Sequence, residues 1–99
     1  MPRADAELTR QLERAAAAGT PVEAVVVLRS RRDVPDPAHT EALARELVDR
    51  VQDSTGREAV DVHVFRNLGR FVVAADAAFL RELLAQPEVD SALANRRPP

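Results

Sequence analysis

The chain has no cysteine, so disulfides and thiolate metal sites are excluded, and the redox compartment stays open. Histidine occurs only twice, as His39 and His63, in segments that read as different elements. Nucleophilic catalysis would need a hydroxyl or thiol held against one of them by a third group. Ser30, Ser54 and Ser91 sit in no nucleophile-elbow context, so no enzymatic activity is expected. Strong charge of one sign is also missing. The formal net charge of −2 provides no electrostatic basis for binding nucleic acid or an anionic membrane. Long apolar runs are absent too, the longest being Ala24 to Leu28, far too short to span a bilayer. The N-terminal segment MPRADAELTRQLERAAAAG has no continuous apolar core of the kind a secretory signal carries. The expectation is a soluble, cytoplasmic protein with no cofactor and no metal.

What is present suits one globular domain. Ninety-nine residues, 45% hydrophobic and 30% charged, support one modest core and are too apolar for a disordered chain. Residues 3–18 read as a helix with Leu8 and Leu12 one turn apart, stopped at Gly19-Thr20-Pro21. With only two large apolar residues, it is expected to be a peripheral helix over residues 1–20, lying on the domain or docking on a partner. The mixed charges Arg3, Asp5, Glu7, Arg10, Glu13 and Arg14 suit a solvated helix face.

Val22 to Arg29, VEAVVVLR, is apolar on both faces, as in a central strand. The loop SRRDVPDPAH follows, and Asp36-Pro37 marks a helix start with Asp as N-cap and Pro at the first helical position. Leu43, Leu47, Val48 and Val51 share one face of that helix, which ends near Ser54-Thr55-Gly56. Val60, Val62 and Val64 then alternate with Asp61, His63 and Phe65, predicting a strand with one buried face. Asn67 to Arg70 forms the hairpin turn and Phe71 to Ala75 the returning strand. Asp76 caps a helix striped by Phe79, Leu80, Leu83 and Leu84, Pro87 ends it, and Val89 to Ala94 make the last strand. Residues 96–99 hold no core residue and read as a mobile tail.

The order β-α-β-β-α-β over residues 21–95 predicts an α+β, ferredoxin-like sandwich. It would have four antiparallel strands, both helices on one face, and an extra N-terminal helix. The other sheet face is left for solvent or a partner. An exposed Phe65 beside His63 needs cover, either from the N-terminal helix folding back or from another protein. Val25, Val27, His63, Phe65, Val72 and Ala74 are the positions such an interface would use, though the pattern leaves open which side of the central strands points outward. Arg29, Arg31 and Arg32, with Arg96 and Arg97, read as solvated loop residues in preference to a phosphate site.

The segments VEAVVVLR and LGRFVVAADAAFLRELLAQPEV resemble the propeptide and inhibitor domains of subtilisin-like serine proteases. Gly69 before the third strand, the short helix with Leu80, Leu83 and Leu84, and Pro87-x-Val89 opening the last strand carry the resemblance. It spans roughly residues 22–95. It implies a non-catalytic module that inhibits or chaperones a subtilisin-like protease. In that family the open sheet face packs on the enzyme and the extended C-terminus enters the active-site cleft. The residues this assigns to partner binding are His63, Phe65, Leu93, Ala94, Asn95, Arg96 and Arg97. Leu93, Ala94 and Asn95 stand where the family carries acidic residues.

Two other readings use the same topology. One is a protein-interaction domain that pairs with itself through the open face, as a homodimer without protease inhibition. The other is an RNA-recognition domain, disfavoured because AVVVLR offers no aromatic on which a base could stack.

Overall fold

The computed structural model describes residues 3–29 and 37–94. In chain order the elements are β1 (Arg3–Ala4), α1 (Ala6–Ala18), β2 (Val22–Leu28), α2 (Pro37–Thr55), β3 (Asp61–Phe65), a 3-10 turn (Arg66–Leu68), β4 (Arg70–Ala75), α3 (Ala77–Leu84) and β5 (Val89–Ala94). They make an α+β fold with one sheet in the order β1-β5-β2-β4-β3. The four longer strands are mutually antiparallel, and β1 joins β5 in parallel at the edge.

Registers follow from the alternation of side chains along each strand. Val26 of β2 lies opposite Phe71 of β4 on one side and Ala92 of β5 on the other. Val22, Ala24, Val26 and Leu28 all point into the core, as do Phe71, Val73 and Ala75. The two apolar faces that made VEAVVVLR ambiguous are thereby sorted. In β5, Val89 and Ala92 are both buried although they are three residues apart. A register shift beside Leu28 leaves Asp90 as the extra residue and returns both side chains to one face.

All three helices pack on this same face. Leu8, Leu12 and Ala15 of α1 join Leu47 and Val51 of α2 and Phe79, Leu80 and Leu83 of α3 in a single cluster with the strand residues. Residues 3–4 do not belong to the first helix as the sequence pattern predicts. They pair with Ser91 and Ala92, and the helix begins after Asp5, whose Oδ1 accepts the Leu8 N–H at 2.7 Å. The same oxygen accepts the Ala94 N–H at 3.3 Å, and the Asp5 N–H donates to the Ala92 carbonyl at 3.1 Å. One capping residue thus ties α1 to the last strand. The helix ends at Gly19, in the left-handed region at φ 72°, where a glycine costs least. Pro37 is the first residue of α2, as expected, while its predicted cap Asp36 lies outside the described residues. Val60, expected among the buried valines, is exposed ahead of β3.

Polar contacts fix the helix ends. Arg50 of α2 bridges Glu46 at 3.1 Å, Glu88 at 2.8 Å and Gln86 Oε1 at 3.1 Å, pinning α2 to the turn before β5. Asp76 Oδ1 accepts the Phe79 N–H at 2.8 Å and Oδ2 meets Arg57 Nη1 at 2.7 Å. The Phe79 amide bond holds the Asp76 carboxyl below its ordinary pKa, with the Arg57 pairing adding to it against a desolvation penalty.

A depressed folded-state pKa contributes stability that is present above the unfolded carboxylate pKa and lost as pH falls through the folded value. Asp76→Ala should cost about 1–2 kcal/mol at neutral pH, in the range of other capping losses. The gap between the variant and the wild type should close as pH is taken below about 4. Urea denaturation across that range measures both; a pH-independent gap would mean the carboxylate charge is not the source.

Candidate functional site

The registers place one set of side chains on the face away from the helices, in three rows. The middle row runs Leu93, Val25, Val72, His63 across β5, β2, β4 and β3. The next row runs Ser91, Val27, Arg70, Phe65, and the row on the other side holds Glu23, Ala74 and Asp61. The centre of this face is apolar. Val72 is only 9% exposed yet is not part of the helix-side core; its neighbours in the rows shield it. Phe65 and Leu93, at the two sides, are 46% and 45% exposed. Among the described residues no element crosses this face. The N-terminal helix, one of the two candidate covers for Phe65, lies on the opposite side of the sheet.

Among the described residues, charge on this face is confined to its ends. Asp61 and Glu23 share one end row, and Arg70 stands in the other. Just past that second row, Arg29 lies 3.8 Å from Asp90 and donates from Nε to the Pro87 carbonyl at 2.9 Å, so the two opposite charges offset each other. His63 Nε2 lies 3.1 Å from Asp61 Oδ2 along the exposed edge of β3. Ser91 is three strands away, roughly 14 Å at ordinary strand spacing. Among the described residues, no group of three or more His, Cys, Asp or Glu side chains is placed to hold a metal ion. No buried side-chain nitrogen or oxygen there lacks a partner, so no orphaned polar atom points to a missing ligand. Among the same residues no helix is long and apolar enough to cross a membrane.

Of the residues assigned to partner binding, the structure brings His63, Phe65 and Leu93 onto one face. Ala94 is not with them. It lies opposite Ala24 and packs partly buried against the helix-side core. The sequence pattern hides this because the extra residue Asp90 shifts the parity of β5. Asn95, Arg96 and Arg97 lie outside the described residues, as do Arg31 and Arg32. Asp61, Glu23 and Arg70 belong to the face but were not singled out by the pattern; the hairpin pairing of Phe65 with Arg70 is the signal that locates them. Comparison of the chain with family models, with curated proteins and with solved structures gives no match.

If the face is open, its apolar groups contribute little to folding. Phe65→Ser and Leu93→Ser should each change stability by less than about 0.5 kcal/mol, the usual range for surface sites. Phe71→Ala on the core side should cost about 3–5 kcal/mol. Equal losses in denaturant titrations would show that the face is covered.

Proposed function

We propose that this chain is a non-catalytic protein-binding module, built on a ferredoxin-like sandwich, that engages its partner through the open sheet face. The carrying observation is the apolar row Leu93, Val25 and Val72, continuous over three strands and crossed by no element among the described residues, although the helix side of the sheet is packed. Water on such a row is costly, and rimmed apolar patches of this kind mark interaction surfaces. The ferredoxin-like assignment is supported by the strand order. Each β-α-β unit is split by a strand of the other: β4 lies between β2 and β3, and β2 lies between β4 and β5.

For the partner, the resemblance of residues 22–95 to subtilisin propeptides favours a subtilisin-like serine protease, inhibited or chaperoned by this face. In that arrangement His63, Phe65 and Leu93 meet the enzyme surface, and Asn95, Arg96 and Arg97 lead toward its cleft. Apolar contact would dominate, since the acidic positions that cap enzyme helices in the family are held here by Leu93, Ala94 and Asn95. No negative charge is available there to favour a helix N-terminus.

The test is inhibition of subtilisin by the full chain, by the chain lacking residues 96–99, and by the double variant Phe65→Glu with Leu93→Glu. The reading expects inhibition at about micromolar concentration by the full chain, weakened tenfold or more (about 1.4 kcal/mol) in the face variant. A smaller loss is expected on removing the tail. Absence of inhibition by both the full and the shortened chain would overturn the protease reading.

A further inference from the structure

We propose that the open face also takes a second copy of this chain, with the two sheets stacked face to face and their strands antiparallel. The inference rests on the open face being a binding surface, and not on the partner being a protease. The argument is the charge layout. Two copies related by a two-fold axis bury the same patch on each, so every contact occurs twice. Stacked sheets lie about 10 Å apart with strand directions within about 30°. Only two orientations then superpose the apolar middle rows.

In one orientation the axis runs along the strands and like ends meet. β4 of one copy then lies over β2 of the other, and the two Arg70 side chains stand one strand apart. Like charges brought together at a desolvated contact oppose association. In the other orientation the axis runs along the middle row and opposite ends meet. Arg70 of one copy lands over Ala74 of the other, a small residue that leaves room for it. In the row beneath, Ala74 sits opposite Asp61 on β3, so Arg70 is placed beside that carboxylate. Val25, Val72 and Leu93 stack on their own counterparts in the centre. The face is thus complementary to itself in one orientation and repels itself in the other.

The test is sedimentation velocity on the full chain over about 1–300 µM, a range suited to an interface at the small end of stable ones. Wild type is expected to dimerise. Asp61→Arg and Arg70→Glu should each weaken the dimer by roughly tenfold, since each reverses two symmetry-related contacts. The combined variant, with the charges exchanged, should recover wild-type association. Circular dichroism establishes that each variant is folded, as is expected of exposed substitutions. A wild-type monomer throughout the range would overturn the inference. So would a combined variant as weak as the single ones, or tighter association of Arg70→Ala alone, since neutralising that residue relieves the repulsion of like ends meeting. A monomer that still inhibits subtilisin would overturn this inference and leave the proposed function standing; a dimer that inhibits nothing would do the reverse.

Discussion

A sheet has two faces, and this chain supplies helices for one. Everything else follows from which face that is, and the choice is set at β2, the middle strand of the five. Val26 is held between Phe71 and Ala92, and a slip by one residue would turn Val25 and Val27 inward and expose Val26. Several local devices prevent that slip. Gly69, at φ 64°, closes the hairpin that registers β3 on β4. Asp76 caps α3 directly after β4, and Asp5 hydrogen-bonds both to α1 and to the end of β5. Each is a short-range contact, worth little alone, placed where it fixes a long-range one.

Elements whose burial follows a single period were legible before the structure. Val62 and Val64 alternate with exposed Asp61, His63 and Phe65 as the pattern requires, and Leu47 and Val51 line the inner face of α2. β2 could not be oriented from its own residues, since both of its faces are aliphatic. Its facing is decided by pairing with strands more than forty residues away. The N-terminal segment misleads for a different reason. Two leucines look too few for a core helix, but Ala15 is small enough for close approach, and Leu8 is fully buried against the sheet. β1 is invisible to periodicity because a two-residue strand has no period and joins by backbone pairing alone. Ala94, assigned to partner binding through the resemblance, faces the helix side because of one bulged residue, Asp90, which no local pattern reveals. From residue pattern alone the candidate site could be oriented only at β3, where Asp61 and His63 alternate with partly buried valines; Leu93 of β5 was assigned from the family resemblance.

The outer face of β3 also bears on how this surface is used. β3 is an edge strand, and an edge with unpaired backbone groups is a template for another chain. Asp61 and His63 stand exposed on it, with charge and bulk of the kind that discourages strand addition. With the edge protected in this way and the helix side packed, the apolar face is the surface best suited to contact.

Among the described residues that face carries few charges, with Asp61 toward one end and Arg70 toward the other. A uniformly charged rim would attract any oppositely charged surface in any orientation. A polarised rim discriminates: it rewards one alignment of a partner and penalises the reversed one. In the proposed contact the apolar centre supplies the binding energy without direction, while Arg70 and Asp61 supply direction at little cost in energy. Specificity in such a contact is therefore an orientational property. A partner need not match the valines in detail, but it must present charges in the right order along the strands.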